Sequence, residues 1–296
     1  MKRLSKDELA WAAQLACLFE VSAEKPGNVS LRAASGDARF QDFVASAVAI
    51  GPTFREAEQR TVGETVLAAV TATRRLVHTN TNLGMILLLA PLAKAAAAGC
   101  AGDALHASVA DVLRGLTVAD ARLAYEAIRT ASPAGLGKVE HHSVNADDVN
   151  VTLREAMSVA RAWDSIAREY ATDFQITFGL GYPTLRRLWD EGLGLADAIV
   201  TTFLTVLAEV PDTLIARKVG QALAEQVSRR AQRVLTSGGC RSAQGRAEVQ
   251  RFDDELRVAA HDLNPGTTAD LVCASLFVFL TEGDMLANVP ALTARW

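Results

Sequence analysis

Four polar breaks in an alanine- and leucine-rich chain hold the residues able to do chemistry. The first carries Lys25, Pro26, Gly27 and Asn28, and the second Asn80, Thr81, Asn82 and Gly84. The third carries Asp212, Thr213 and Arg217; the fourth carries Asn264, Pro265, Gly266, Thr267, Thr268 and Asp270. Each lies at an end of an apolar stretch. A helix start holds unpaired backbone N–H groups and a partial positive charge, so it can receive phosphate. Asp270 would repel a bare phosphate but suits one that arrives with Mg2+, and Asp212 is the second acid available to such a metal. Lys25 and Arg217 are donors for anionic oxygens, and the asparagines add side-chain amides. The inventory fits a phosphorylated ligand with a divalent metal, not a nucleophile–base–orienter triad.

The same residues also read as ordinary helix punctuation. Thr267 stands three residues before Asp270, the spacing of an N-cap with an acidic partner, and Pro265-Gly266 is a turn signal. The stretch 264–271 is then the capped start of a buried helix running to residue 280. Asn80, Thr81 and Asn82 open the most apolar segment, 85–98, which is expected at the centre of the core. Further capping pairs are Ser5 with Glu8, Thr117 with Asp120, and Thr152 with Glu155, the last opening a helix expected to reach residue 170. Residues 40–50 read as a helix stopped by Gly51-Pro52, and 131–147 as an exposed loop. Helices are also expected over 64–77, 183–191, 195–210, 221–235 and 243–262, the last two of surface type. No strand alternation and no internal repeat is visible. The expectation is an all-α fold of about a dozen helices in one compact domain, 1–296, around a buried central apolar helix.

Composition agrees, with half of the 296 residues hydrophobic and only 6% aromatic, a balance that favours packed helices over sheets. A net charge of −4 without long basic runs argues against a nucleic-acid partner. The four cysteines are widely spaced with no C-x-x-C pair, which argues against a disulfide framework or a zinc site. His141-His142 reads as solvated loop and His261-Asp262 as a helix end. Neither a phosphate-binding G-x-x-x-x-G-K motif, a dinucleotide fingerprint nor a nucleophile elbow is present. The charged N-terminus does not resemble a leader, and Pro91 and Lys94 interrupt a segment too short to span a bilayer, so a soluble, cytoplasmic protein is expected.

The four breaks, in this order, resemble the triphosphoribosyl-dephospho-CoA synthase family, which serves citrate lyase and malonate decarboxylase maturation. Glu24-Lys25-Pro26-Gly27-Asn28-Val29 is similar to the family's Pro-Lys-Pro-Gly-Leu-Val. Asn80-Thr81-Asn82-Leu83-Gly84 is similar to its Asn-Thr-His-Lys-Gly. Asp212-Thr213-Leu214, followed by Arg217 and Gly220, resembles its Asp-Thr-Asn with a later Arg and Gly. The stretch 264–271 resembles Ser-Pro-Gly-Gly-Ser-Ala-Asp-Leu, and Arg154-Glu155-Ala156 its Arg-Gly-Glu-Ala. The likeness runs from about residue 15 to 280. Departures fall at Ser35, Asn82 and Leu83, where the family has two histidines and a lysine.

The resemblance implies a pentosyltransferase that joins the triphosphoribosyl group of ATP to the 2′-hydroxyl of 3′-dephospho-CoA and releases adenine. Its small-molecule partners would be ATP with Mg2+ and dephospho-CoA; a homodimer is allowed. Substitution at the ribose C1′ passes through an oxocarbenium-like state that a carboxylate stabilises. Asp37 or Asp42 would fill that role or act as base, with Glu155 as a further catalytic acid. Asp212 and Asp270 would hold the metal. Lys25, Asn28, Asn80, Thr81, Asn82, Gly84, Arg217, Asn264, Gly266, Thr267 and Thr268 would bind the nucleotide. Two alternatives remain: a related ATP- or phosphoribosyl-using enzyme of another cofactor pathway, such as methanopterin-type pterin biosynthesis, and a non-catalytic nucleotide-binding relative.

Overall fold

The computed structural model describes residues 3–34, 37–100, 103–132, 149–258 and 263–296; His141-His142, His261-Asp262, Ser35 and most of the loop expected over 131–147 lie outside these. The described residues hold fifteen α-helices and no β-strand. They are α1 (Lys6–Ser22), α2 (Phe40–Arg55), α3 (Val62–Arg74), α4 (Leu83–Ala96), α5 (Asp103–Arg114), α6 (Val118–Ala131), α7 (Leu153–Ala160) and α8 (Ser165–Ala171). Then come α9 (Tyr182–Asp190), α10 (Leu195–Glu209), α11 (Thr213–Val219), α12 (Gln221–Thr236), α13 (Ala243–Val258), α14 (Gly266–Thr281) and α15 (Val289–Ala294). The all-α expectation holds. The count exceeds a dozen partly because the helix expected from 152 to 170 is two, broken where Asp164 turns its carboxylate onto the N–H groups of Ile166 and Ala167 and starts α8.

At the centre lies α14, against which α1, α4, α9 and α10 all pack. From Leu271 to Thr281 every residue of α14 is buried, and α4 is buried nearly all round. Two buried helices of this composition cannot be told apart from membrane segments by hydropathy. Yet no single helix among the described residues is long and apolar enough to cross a membrane. Local capping follows the sequence closely: Ser5 with Glu8, Thr117 with Asp120, and Thr152 with Glu155 all form reciprocal boxes.

Prolines are handled differently from the expectation. The Gly51-Pro52 stop does not occur; α2 runs through it to Arg55. Pro52 has no N–H for the Val48 carbonyl, but the Gln14 amide from α1 donates to that oxygen at 3.3 Å. Gly51 leaves the room, since an added Cβ would crowd the Gln14 amide. Pro91 orphans the Leu87 carbonyl within α4, and the buried Tyr170 hydroxyl donates to it at 2.6 Å. In both cases a neighbouring helix replaces the lost bond, so the helix continues.

One buried acid has no role in the polar breaks. Glu169 in α8 is fully buried; one oxygen accepts from the Thr177 N–H at 2.8 Å, and the other has no partner among the described residues. Thr177 starts a π-helical turn, Thr177–Gly181, entered through Asp173 and Phe174 with φ of 55° and 62°. Burial pushes the Glu169 carboxyl up to about 8. A carboxyl raised on folding favours the folded state below its ordinary range, and that advantage is lost as pH rises toward 8. Glu169→Gln, neutral and of the same shape, should therefore match the wild type near pH 5. It should exceed it by roughly 3–5 kcal/mol near pH 9 in denaturant titrations. An equal difference at both pH values would disprove the buried, neutral acid.

Candidate active site

The four breaks meet where the N-termini of α4, α8, α11 and α14 converge. Asp212 is the clamp. Its Oδ1 accepts from the N–H groups of Leu214 (2.9 Å) and Ile215 (3.0 Å), capping α11. Its Oδ2 accepts from the Thr268 N–H (2.7 Å) and hydroxyl (2.8 Å), capping α14. The cap of α14 is thus supplied from another helix. The expected Thr267–Asp270 box does not form: Pro265 is the N-cap position and no side chain of its own segment bonds there. The Thr267 hydroxyl instead accepts from Thr213 at 3.2 Å, and Thr213 in turn accepts from the Ser165 N–H at 3.3 Å. This chain of hydroxyls stitches α8, α11 and α14 together.

Asp270, released from capping, faces the first turn of α4. An added Cβ on Gly84 would overlap Asp270 Oδ2 and the Ile166 side chain, so only glycine allows this approach. No hydrogen-bond donor among the described residues reaches the Asp270 carboxylate. Burial pushes it well above the usual carboxylate range, and the nearby charges of Glu20, Asp212 and Asp164 raise it further against the lowering effect of Arg217. Arg217 pairs with Asp164 at 2.5 Å. Within this junction, no acceptor among the described residues takes the N–H groups of Gly84, Met85 or Thr267. Acids and open N–H groups therefore lie side by side. Such an arrangement receives an anion that carries its own cation.

The remaining expected residues divide into neighbours and scaffolding. Lys25 is 1% exposed and folds back over the end of α1, ringed by the Glu20 carbonyl, the Ala23 carbonyl (3.0 Å) and Glu20 Oε1 (2.9 Å). Its ammonium is spent on its own segment and does not project toward a ligand. Burial raises the Glu20 carboxyl, which Lys25 only partly offsets. Asn28 is buried and donates to the Pro265 carbonyl at 3.2 Å, joining the first break to the fourth. Asn264 beside it keeps a buried oxygen without a partner among the described residues. Gly266 packs against Leu214, where a Cβ would lie 2.6 Å from Cδ2.

Around α4, Thr81 bonds Ser46 at 2.6 Å, Asn82 donates to Thr73 at 3.2 Å, and Asn80 accepts from the Leu83 N–H at 3.3 Å. Leu83 is in the core. Asp42 closes the first turn of α2 by accepting from the Arg39 N–H at 2.9 Å, and Asp37 is exposed just before it. Glu155 is an exposed cap, one carboxylate oxygen accepting from the Thr152 N–H and hydroxyl. None of these three acids touches the Asp270 cluster. Sequence reasoning missed Glu20 and Asp164. Asp164 had a readable signal, an Asp-Ser pair after Trp163, whereas Glu20 sits mid-helix with nothing local to mark it.

A shallow hollow of about 530 Å³ on α9, lined by Tyr182, Pro183, Arg186, Arg187, Asp190 and Glu191, lies apart from all four breaks. Its arginines are already paired with Asp190, Glu191 and Glu282.

The family model described as ATP:dephospho-CoA triphosphoribosyl transferase matches residues 6–288. A Pseudomonas fluorescens protein named "Probable 2-(5''-triphosphoribosyl)-3'-dephosphocoenzyme-A synthase" is 30% identical over 123 residues, 41% of this chain and 42% of the relative. The Klebsiella pneumoniae 2-(5''-triphosphoribosyl)-3'-dephosphocoenzyme-A synthase is 28% identical over 134 residues, 45% of this chain and 47% of that protein. Each of these matches therefore spans less than half of the relative's length. A crystal structure from Archaeoglobus fulgidus, provisionally named a triphosphoribosyl-dephospho-coA synthase, superposes with a TM-score of 0.64 at 29% identity, covering 81% of this chain and 99% of that one. With the matched segment running through every element of the helix junction, the chain belongs to the ATP:dephospho-CoA triphosphoribosyl transferase family.

Proposed function

We propose that the chain transfers the triphosphoribosyl group of ATP to the 2′-hydroxyl of 3′-dephospho-CoA. The C1′–N9 bond of ATP breaks, a C1′–O bond forms to the acceptor, and the hydroxyl proton leaves with adenine. The observation that carries this reading is the meeting of four helix N-termini at a carboxylate, Asp270, that no donor among the described residues satisfies. The open N–H groups of Gly84, Met85 and Thr267 would take phosphate oxygens, with Arg217 as the neighbouring cation. Asn28 and Asn264 would line the same corner. A reaction that draws on ATP suits a cytoplasmic protein.

For Mg2+ the residues fit only in part. No group of three or more His, Cys, Asp or Glu is placed to hold a metal among the described residues, and Asp212 has spent all its acceptor positions on four donors. Asp270 has the free oxygens for one ligand. That suits an ion held chiefly by the triphosphate, as Mg2+ commonly is, and it would neutralise phosphate charge there. Asp42 is assigned to the acceptor hydroxyl because Ser46, bonded to its carbonyl at 2.6 Å, also bonds Thr81 at the entry to α4. Asp37 is exposed on the same turn and is the second choice. Glu155 keeps a capping role.

Incubation with ATP, Mg2+ and dephospho-CoA, resolved by chromatography and mass spectrometry, should yield adenine and a triphosphoribosyl adduct in equal amounts. Adenine released only with another acceptor would move the reading to a different cofactor pathway. ATP binding without turnover would make the chain a non-catalytic relative.

A further inference from the structure

From sequence α13 is a charged surface helix, but two of its residues grip the first break. Asp253 Oδ1 accepts from the Gly27 N–H at 2.7 Å. Arg257 is held to both oxygens of Asp253 through Nε, at 2.9 and 2.8 Å. The rest of its guanidinium reaches out of α13, one nitrogen donating to the Asn28 carbonyl at 2.6 Å and another to the Ala34 carbonyl at 3.2 Å. One planar group thus pins both ends of segment 28–34. Gly27 has φ of +72°, and an added Cβ would lie 2.9 Å from Leu256 Cδ1 and from the Leu263 carbonyl, so the turn is pressed against α13 as closely as a backbone allows. The Leu263 N–H donates to Leu256 at 3.2 Å, bringing the approach to α14 into the same joint.

We propose that Asp253 and Arg257 are a positioning pair that sets the Gly27–Asn28 turn against Pro265, and so fixes the approach of the nucleotide to the start of α14. This deepens the transferase reading and rests on it. The pair touches no reacting atom and acts through Asn28, whose amide bonds the Pro265 carbonyl. Asn28 is a loop residue, and Pro265 is the N-cap position of α14, its carbonyl also accepting from the Ala269 N–H at 3.2 Å. A planar guanidinium that serves three acceptors at once is the part a lysine cannot replace. Misplacing a binding group by about an ångström is enough to cost an order of magnitude or more.

Arg257→Lys keeps the charge opposite Asp253 but cannot span both carbonyls. It should raise the KM for ATP, and the ATP Kd by calorimetry, about tenfold while kcat stays within about threefold. Hydrogen exchange in segment 27–34 should speed up with the melting temperature near the wild-type value. Arg251→Lys, exposed on the same helix and paired with Glu248, is the control and should change nothing. A lower melting temperature with KM and Kd unchanged would make the pair purely structural and overturn the proposal, as would no change at all. Wild-type protein that binds ATP but forms no adduct defeats the transferase reading, and the pair is then judged by the Kd shift alone. Wild-type protein that binds no ATP overturns both.

Discussion

Asp270→Asn is expected to stabilise the fold while removing most of the activity. The wild-type carboxylate sits in a region that disfavours its charge, first through burial and then through Glu20, Asp212 and Asp164. No donor among the described residues compensates, so the amide relieves a cost and loses no hydrogen bond seen there. The carboxyl is raised on folding, so its neutral form favours the folded state below the ordinary carboxylate range, and that benefit fades as pH rises. The advantage of the amide should grow with pH in thermal or denaturant unfolding. Over the same change kcat/KM should fall by about two to three orders of magnitude if, as proposed, Asp270 is the protein's ligand for the cation that the triphosphate carries. Mg2+-dependent ATP binding, read by calorimetry, should weaken in parallel. A variant with lower stability and unchanged binding would show Asp270 to be part of the scaffold.

The opposite pattern is expected at Asp212. Its carboxylate accepts four hydrogen bonds and ties the start of α11 to the start of α14 across 56 residues of sequence. Asp212→Ala removes a cap on each of two helices and leaves the Thr268 N–H buried without an acceptor. Losing a cap costs about 1 kcal/mol and orphaning a buried donor about 1–3 kcal/mol, so the fold should lose roughly 3–5 kcal/mol. Asp212→Asn keeps one carbonyl oxygen for Leu214 and Ile215 but sets an amide against the Thr268 N–H, and should lose roughly half as much. Chelation of metal from the wild-type protein should leave the stability of this junction unchanged. A chelator effect as large as the alanine substitution would return Asp212 to the metal.

The contrast between the two acids shows how far local reading carries. Both were visible as acids at helix starts, and both were expected to bind metal. Their difference lies in who else is present: Asp212 meets Thr268, and Asp270 meets Gly84 and Glu20. Lys25 makes the same point, since a lysine in a Pro-Gly loop reads as an exposed donor until the end of α1 encloses it. Glu155 was legible twice over, as a capping residue from its spacing to Thr152 and as a catalytic residue from motif resemblance, and the geometry it adopts is the cap. Asp253 and Arg257 had no local signal; a charged pair four apart on a helix is common surface decoration.

What the sequence determined by itself was whatever depends on residues three or four apart. The capping boxes at Ser5, Thr117 and Thr152, the amphipathic and fully apolar helices, and hence the all-α class belong to that group, because helix formation and its caps are decided within one turn. The motif order was equally legible, and with it the family. Only the tertiary structure decided which polar groups are consumed and which are left open. The capping of α14 from Asp212, the passage of α2 through Pro52 on the Gln14 amide, and the isolation of Asp270 against Gly84 all depend on partners that packing brings from distant segments. A carboxylate's chemistry depends on its unspent lone pairs and its surroundings, and neither is written in its neighbours along the chain.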